Sequence, residues 1–220
     1  MILTACLGVL IEFLAYRPLR NSTKIAALIT AIGVSFFLEY GMVYLFGANT
    51  RAFPQALETV GPISVTNVQL TILGVSIFLM VALQFIVQKT KMGKAMRAVS
   101  VDSDAAQLMG INVNSTISFT FALGSALAGA AGVLIGLYYN SVEPLMGMAP
   151  GIKAFVAAVL GGIGIIPGAA LGGFIIGLLE TLAITIGLSS YRDAVVYGIL
   201  IVILLVRPAG ILGKNVKEKV

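Results

Sequence analysis

A chain of 220 residues that is 59% hydrophobic and only 10% charged, with a mean hydropathy of +1.03, cannot have water as its main solvent. Its net charge of +5 comes from short basic groups beside apolar runs rather than from a basic face, which sets nucleic acid aside as a partner. One cysteine, Cys6, excludes an internal disulfide, and with no histidine there is nothing from which a zinc or haem site is ordinarily built, so no metal or cofactor is expected.

Residues 1–15 form an apolar run short of the ~20 residues a spanning helix needs, and the run carries Glu12. It ends in Tyr16, Arg17 and Pro18 without a cleavage pattern, so it is expected to be a membrane segment rather than a removed leader. Glu12 lies within two turns of Arg17 and Arg20, which predicts a snorkelled ion pair at the interface. Residues 25–46, 69–87 and 117–139 each have about the length that crosses ~30 Å of hydrocarbon. Residues 151–187 are too long for one crossing and are interrupted by Gly161, Gly162, Gly164, Pro167 and Gly168. They divide into two helices, the first either spanning or re-entrant. Residues 194–206 close the series, giving an all-α, polytopic transmembrane bundle of about seven membrane segments, the first of them incomplete.

Orientation follows from Lys and Arg in the short loops, because the side that keeps positive charge is cytoplasmic. Arg17, Arg20 and Lys24 form one basic group, Lys89, Lys91, Lys94 and Arg97 a second, and Arg207, Lys214, Lys217 and Lys219 a third. The loops 47–68 and 140–150 hold only Arg51, Glu58 and Glu143 and belong outside. All three basic groups fall inside only if residues 151–187 go in and return.

The 25 glycines would weaken soluble helices, but in a bilayer they let backbones approach. Gly124, Ala128, Gly132 and Gly136 recur every four residues and share one helix face, which predicts a packing seam. Gly164, Gly168 and Gly172, then Gly173 and Gly177, repeat the device.

Residues 89–115 form the longest cytoplasmic segment. Met92, Met96 and Val99 fall at helical spacing beside Lys94 and Arg97. Asp102 or Ser103 can cap a second short helix whose Ala105, Leu108 and Met109 face one side. Two short amphipathic helices at a membrane surface suit docking to a partner better than passive connection.

Within that loop, Asp104, Ala105, Ala106 and, after three residues, Gly110 resemble the EAA loop of ABC permeases, with Asp in place of the usual Glu. Further stretches carry the resemblance: YRPLR at 16–20, GKAMRAVSVDSDAAQLMGIN at 93–112, KAFVAAVLGGIGIIPGAALGG at 153–173 and RPAGILG at 207–213. Together they are similar to the permeases for branched-chain amino acids over essentially the whole chain. The resemblance implies further N-terminal membrane segments before Met1 and a single permease domain over residues 1–220, with residues 89–115 as its ATPase-coupling loop. Gly93, Arg97, Asp104, Ala105, Ala106 and Gly110 are then the coupling residues. It also implies two ABC ATPase subunits, a second related permease, an extracytoplasmic binding protein, and a multi-pass place among the lipids of the cytoplasmic membrane. No G-x-x-x-x-G-K-[ST] motif occurs, so ATP hydrolysis is expected on another chain and the subunit itself is not an enzyme.

Ionisable residues inside apolar segments cost about 2.5 to 3.5 kcal/mol each on insertion scales unless paired or hydrated. Glu39, Lys153 and Glu180 are therefore candidates for the translocation path, Glu180 being the most deeply placed. Lys153 and Glu180 lie at equal distances from the break at Gly164 to Gly168, so on antiparallel helices they reach similar depth, and a direct or water-bridged contact is expected. The competing class is an ion-coupled secondary transporter working through Glu39 and Glu180.

Overall fold

The computed structural model of the chain describes residues 1–20, 23–53, 67–187, 189–207 and 209–213. It is helical almost throughout and divides into two compact units, Met1–Leu145 and Met146–Val220. Among the described residues, five helical runs are long and apolar enough to cross a membrane: Ile2–Leu19, Ile25–Phe46, Val68–Lys89, Val113–Tyr139 and Ile166–Thr185. The fold is the expected all-α polytopic bundle, with five full-length runs and two shorter helices where about seven segments were expected.

In the first unit, α1 (Ile2–Ile11) runs on through a π-helical turn, Glu12–Tyr16, and a 3-10 turn, Arg17–Leu19. The first run is thus of spanning length, and the expectation that it falls short is corrected. Helicity continues past Ala15 because Pro18, with its fixed φ, sits in the first positions of the terminal turn, where a missing N–H does least harm. The Thr23 hydroxyl caps α2 (Lys24–Phe46), and Gly47, at φ +81°, ends it. The remaining helices are α3 (Asn67–Lys89), α4 (Lys91–Val101), α5 (Ser103–Leu108) and α6 (Val113–Tyr139). One departure from pure helix is a two-residue antiparallel pairing of β1 (Arg51–Ala52) with β2 (Ser141–Val142). It satisfies backbone groups of the two connections expected outside, so both lie at one end of the unit.

α1 packs closely on α6, along a seam one position removed from the expected stripe. A Cβ on Gly8 would strike the Ser125 side chain, and one on Gly129 would strike Thr4. Gly124 and Gly132 have nothing within 4 Å of such a Cβ, while Gly136 meets Val142 and Phe53 at 3.3 and 3.4 Å. Ala128 is exposed beside Gly124. α6 carries small residues on two adjacent stripes, and α1, with its own Gly8 and Thr4, selects Ser125 and Gly129.

In the second unit, α7 (Met148–Gly161) and α8 (Ile166–Thr185) form an antiparallel hairpin, followed by α9 (Arg192–Val206). The division of residues 151–187 is as expected, and 14 residues of α7 at ~1.5 Å each fall short of ~30 Å of hydrocarbon. Gly162 (φ +110°) and Gly164 (φ +88°) turn the chain in a conformation that side chains disfavour. Gly161 and Gly168 touch backbone to backbone, and Gly172 lies against the backbone of Ala157. Val156, Ala157, Ile176 and Val196 make the core of this unit. Past α9 the chain folds over the hairpin turn, where Ile211 and Leu212 N–H groups donate to the carbonyls of Leu160 and Gly161 (2.9 and 3.2 Å), satisfying the open end of α7. Lys214, Lys217 and Lys219 lie outside the described residues, as does Glu58.

Candidate functional site

The Thr90 hydroxyl starts α4 by accepting from the Gly93 N–H (3.0 Å), a cap that the sequence reading did not single out. Met92, Met96 and Val99 turn inward while Lys91, Lys94 and Arg97 stay exposed, as the spacing predicts. Gly93 is buried, because a Cβ there would collide with the carbonyls of Ile86 and Val87, so it lets α4 fold back on the end of α3. Asp102 caps α5, its carboxylate accepting from the N–H groups of Asp104 and Ala105 at 2.9 Å each. Gly110, at φ +83°, closes α5: its own N–H donates to Gln107 and that of Ile111 to Ala106, both at 3.0 Å. That paired closure needs a left-handed residue, which is why a glycine follows the run.

The residues expected to contact an ATPase therefore separate into two kinds. Gly93 and Ala106 are buried and set the fold of the loop, whereas Arg97, Asp104, Ala105 and Gly110 are exposed. Apolar side chains are exposed beside them: Val101 at 88%, Leu108 at 89% and Met109 at 83%. A cleft of about 660 Å³ opens next to α5, lined by Arg20, Ser103, Asp104, Gln107, Gly110 and Asn114 among others.

Glu12 pairs with Arg20 but is fully buried, which corrects the expectation of a snorkelled pair. The close seam between α1 and α6 carries Glu12 against α6, where the Ser118 hydroxyl donates to its second oxygen at 2.7 Å. Arg20 also donates to the Asn114 side chain at the start of α6, and Arg17 lies instead over the Phe13 ring, 5.3 Å from its centroid. Thus Arg20 and the start of α6, which follows the loop of α4 and α5, meet at one end of the first unit.

In the second unit, Lys153 Nζ lies 2.6 Å from Glu180 Oε1, the contact expected from equal spacing, and 3.0 Å from Asp193 Oδ1, which was not expected. Glu180 sits toward the end of α8 away from the hairpin turn with its side chain 22% exposed, whereas Glu12 is fully enclosed by the protein. Glu39 accepts from the Ser35 hydroxyl (2.9 Å) within its own helix. Among the described residues no group of three or more His, Cys, Asp or Glu could hold a metal ion.

Residues 1–204 match the family described as branched-chain amino acid transport system, permease component. The chain belongs to this family. Over its full length the permease is 42% identical to the high-affinity branched-chain amino acid transport system permease protein LivH of Escherichia coli K12, covering 74% of that protein. It is 40% identical, with the same coverage, to BraD of Pseudomonas aeruginosa, which carries the same description. A ribose import permease, RbsC of Haemophilus influenzae, is 30% identical over 54% of this chain and 39% of its own. No solved structure matches the chain. The features that stand out in this multi-pass membrane permease are the loop of α4 and α5 in the first unit and a charged cluster on α7, α8 and α9 of the second.

Proposed function

We propose that this permease is the membrane-spanning subunit of an ATP-driven importer of branched-chain amino acids in the cytoplasmic membrane. Two separate ATPase subunits dock on residues 89–115, a second related permease completes the channel, and an extracytoplasmic binding protein delivers substrate. The observation that carries the reading is α5, a six-residue helix capped at both ends that holds Leu108 and Met109 out beside a polar cleft. Exposed large apolar side chains on a short, firmly terminated helix have a use if a partner's groove covers them. The substrate class follows the relatives' descriptions. Glu39, Lys153 and Glu180 are proposed to border the path, where charge inside a membrane segment is most readily kept by hydration or pairing.

Co-purification tests the docking surface. Leu108→Asp puts a charge into the covered patch, and the ATPases should no longer co-purify with a permease that still inserts. Exposed residues of this kind tolerate substitution within about 0.5 kcal/mol, so lost insertion is not expected. Undiminished co-purification of Leu108→Asp overturns this docking surface.

A further inference from the structure

We propose that Arg20 is the positioning residue through which movement of the docking helix α5 reaches α1, the deepening of the docking reading on which it rests. Three observations meet at this side chain. Its guanidinium pairs with Glu12, a carboxylate with no exposure to solvent, on the far side of α1 from the chain start. It also donates to Asn114 in the first turn of α6. And it lines the cleft beside α5 that Ser103, Asp104 and Gln107 also line.

The connection from α5 to that guanidinium is short and made of hydrogen bonds. Ile111 N–H closes α5 on the Ala106 carbonyl at 3.0 Å, and the next residue, Asn112, caps α6 by accepting from Ser115 N–H at 3.1 Å. Thr116, buried one turn on, donates its hydroxyl to the Asn112 carbonyl at 2.9 Å. A shift of α5 therefore moves the first turn of α6, and with it Asn114. From Asn114 the planar fork of Arg20 reaches Glu12, which Ser118 holds from the second turn of α6.

Glu12 opens the π-helical turn of residues 12–16, a place where the helical ladder already departs from its regular pattern and can take up an axial change. A buried carboxylate tolerates separation from its cation poorly, so α1 follows Arg20 instead of letting the pair part. The close seam at Gly8 and Gly129 then carries that displacement along α1. Nothing in this chain of contacts requires a ligand; it converts a push on α5 into a push on the membrane segment.

The complete transporter, reconstituted with its ATPases, second permease and binding protein, tests this by the ratio of substrate taken up to ATP hydrolysed. Asn114→Ala removes the acceptor at an exposed site, so folding is not at stake. The ratio should fall by roughly fivefold or more, the lower range of coupling between sites. Asn114→Asp keeps an acceptor for Arg20 in the first turn of the helix and should restore it. Glu12→Gln, which keeps the shape and discards the charge, should lower the ratio while the ATPases still co-purify. A wild-type ratio in Asn114→Ala, or an Asn114→Asp as uncoupled as Asn114→Ala, overturns the role of Arg20. Failure of the ATPases to bind even the wild-type permease overturns the docking reading and this inference with it.

Discussion

Adding one methyl group at each of two adjacent glycines of α8 should have opposite effects. Ala in place of Gly172 or Gly173 brings the same gain in helix propensity, about 1 kcal/mol, so that contribution cancels between the two variants. What remains is the neighbourhood. At Gly172 the new Cβ falls on the carbonyl oxygen of Ala157 and 3.2 Å from its Cα, with only backbone to yield; at Gly173 it lies 3.9 Å from the Ala157 Cβ, an ordinary contact. Overpacking against a fixed backbone costs about 1–3 kcal/mol, and that is the predicted difference in stability between Gly172→Ala and Gly173→Ala. For a chain of this size it corresponds to a separation in Tm on the order of 2–10 °C. Thermal unfolding of the purified permease in one detergent, followed by loss of monodispersity, measures it. Gly173→Ala should match or exceed the wild type and Gly172→Ala should fall below both; equal Tm values would refute the close α7–α8 contact.

Four further outcomes are expected. Lys153→Met leaves Glu180 and Asp193 facing each other without their cation; with these side chains partly solvated the loss should be about 1–3 kcal/mol. The double variant Lys153→Glu with Glu180→Lys should recover only part of the insertion or uptake lost in either single variant, because Asp193 then faces a new carboxylate; full additivity of the two losses would contradict the contact. Gly110→Val should weaken coupling through backbone strain of about 1–2 kcal/mol rather than through crowding, since nothing lies within 4 Å of an added Cβ, and Gly110→Asn should be milder. Equal uptake in Gly110→Val and wild type would count against that closure of α5. A cysteine at Ser141 should react with an impermeant reagent in intact cells and one at Ser103 only after lysis; the reverse pattern inverts the topology.

Hydropathy made most of this fold legible, because a bilayer imposes a length on every crossing and leaves little choice but helix. Parity of the basic groups also predicted the split of residues 151–187 into α7 and α8. Local chemistry marked Asp102 as one of two candidate caps of α5, whereas Gly110 was singled out by the resemblance and not as the residue that ends the helix. The pairing of Lys153 with Glu180 was readable because a hairpin fixes depth by counting from its turn. Asp193 escaped notice because it precedes the apolar part of α9, and depth counting along α7 and α8 says nothing about a third helix. Which stripe of α6 meets α1 was not legible, since two stripes of small residues run side by side on α6 and only Gly8 and Thr4 of α1 select Ser125 and Gly129. Burial of Glu12 was equally hidden, as it goes with the contact to Ser118, more than a hundred residues on, with no spacing to link them.

The central claim is that this permease moves its substrate by coupling to ATPases on other chains, and uptake in proteoliposomes tests it most directly. With two ATPases, the second permease and the binding protein present, labelled leucine should accumulate only when ATP is supplied, and ribose should not accumulate. Accumulation by this chain alone under an ion gradient, without ATP or partners, would contradict it.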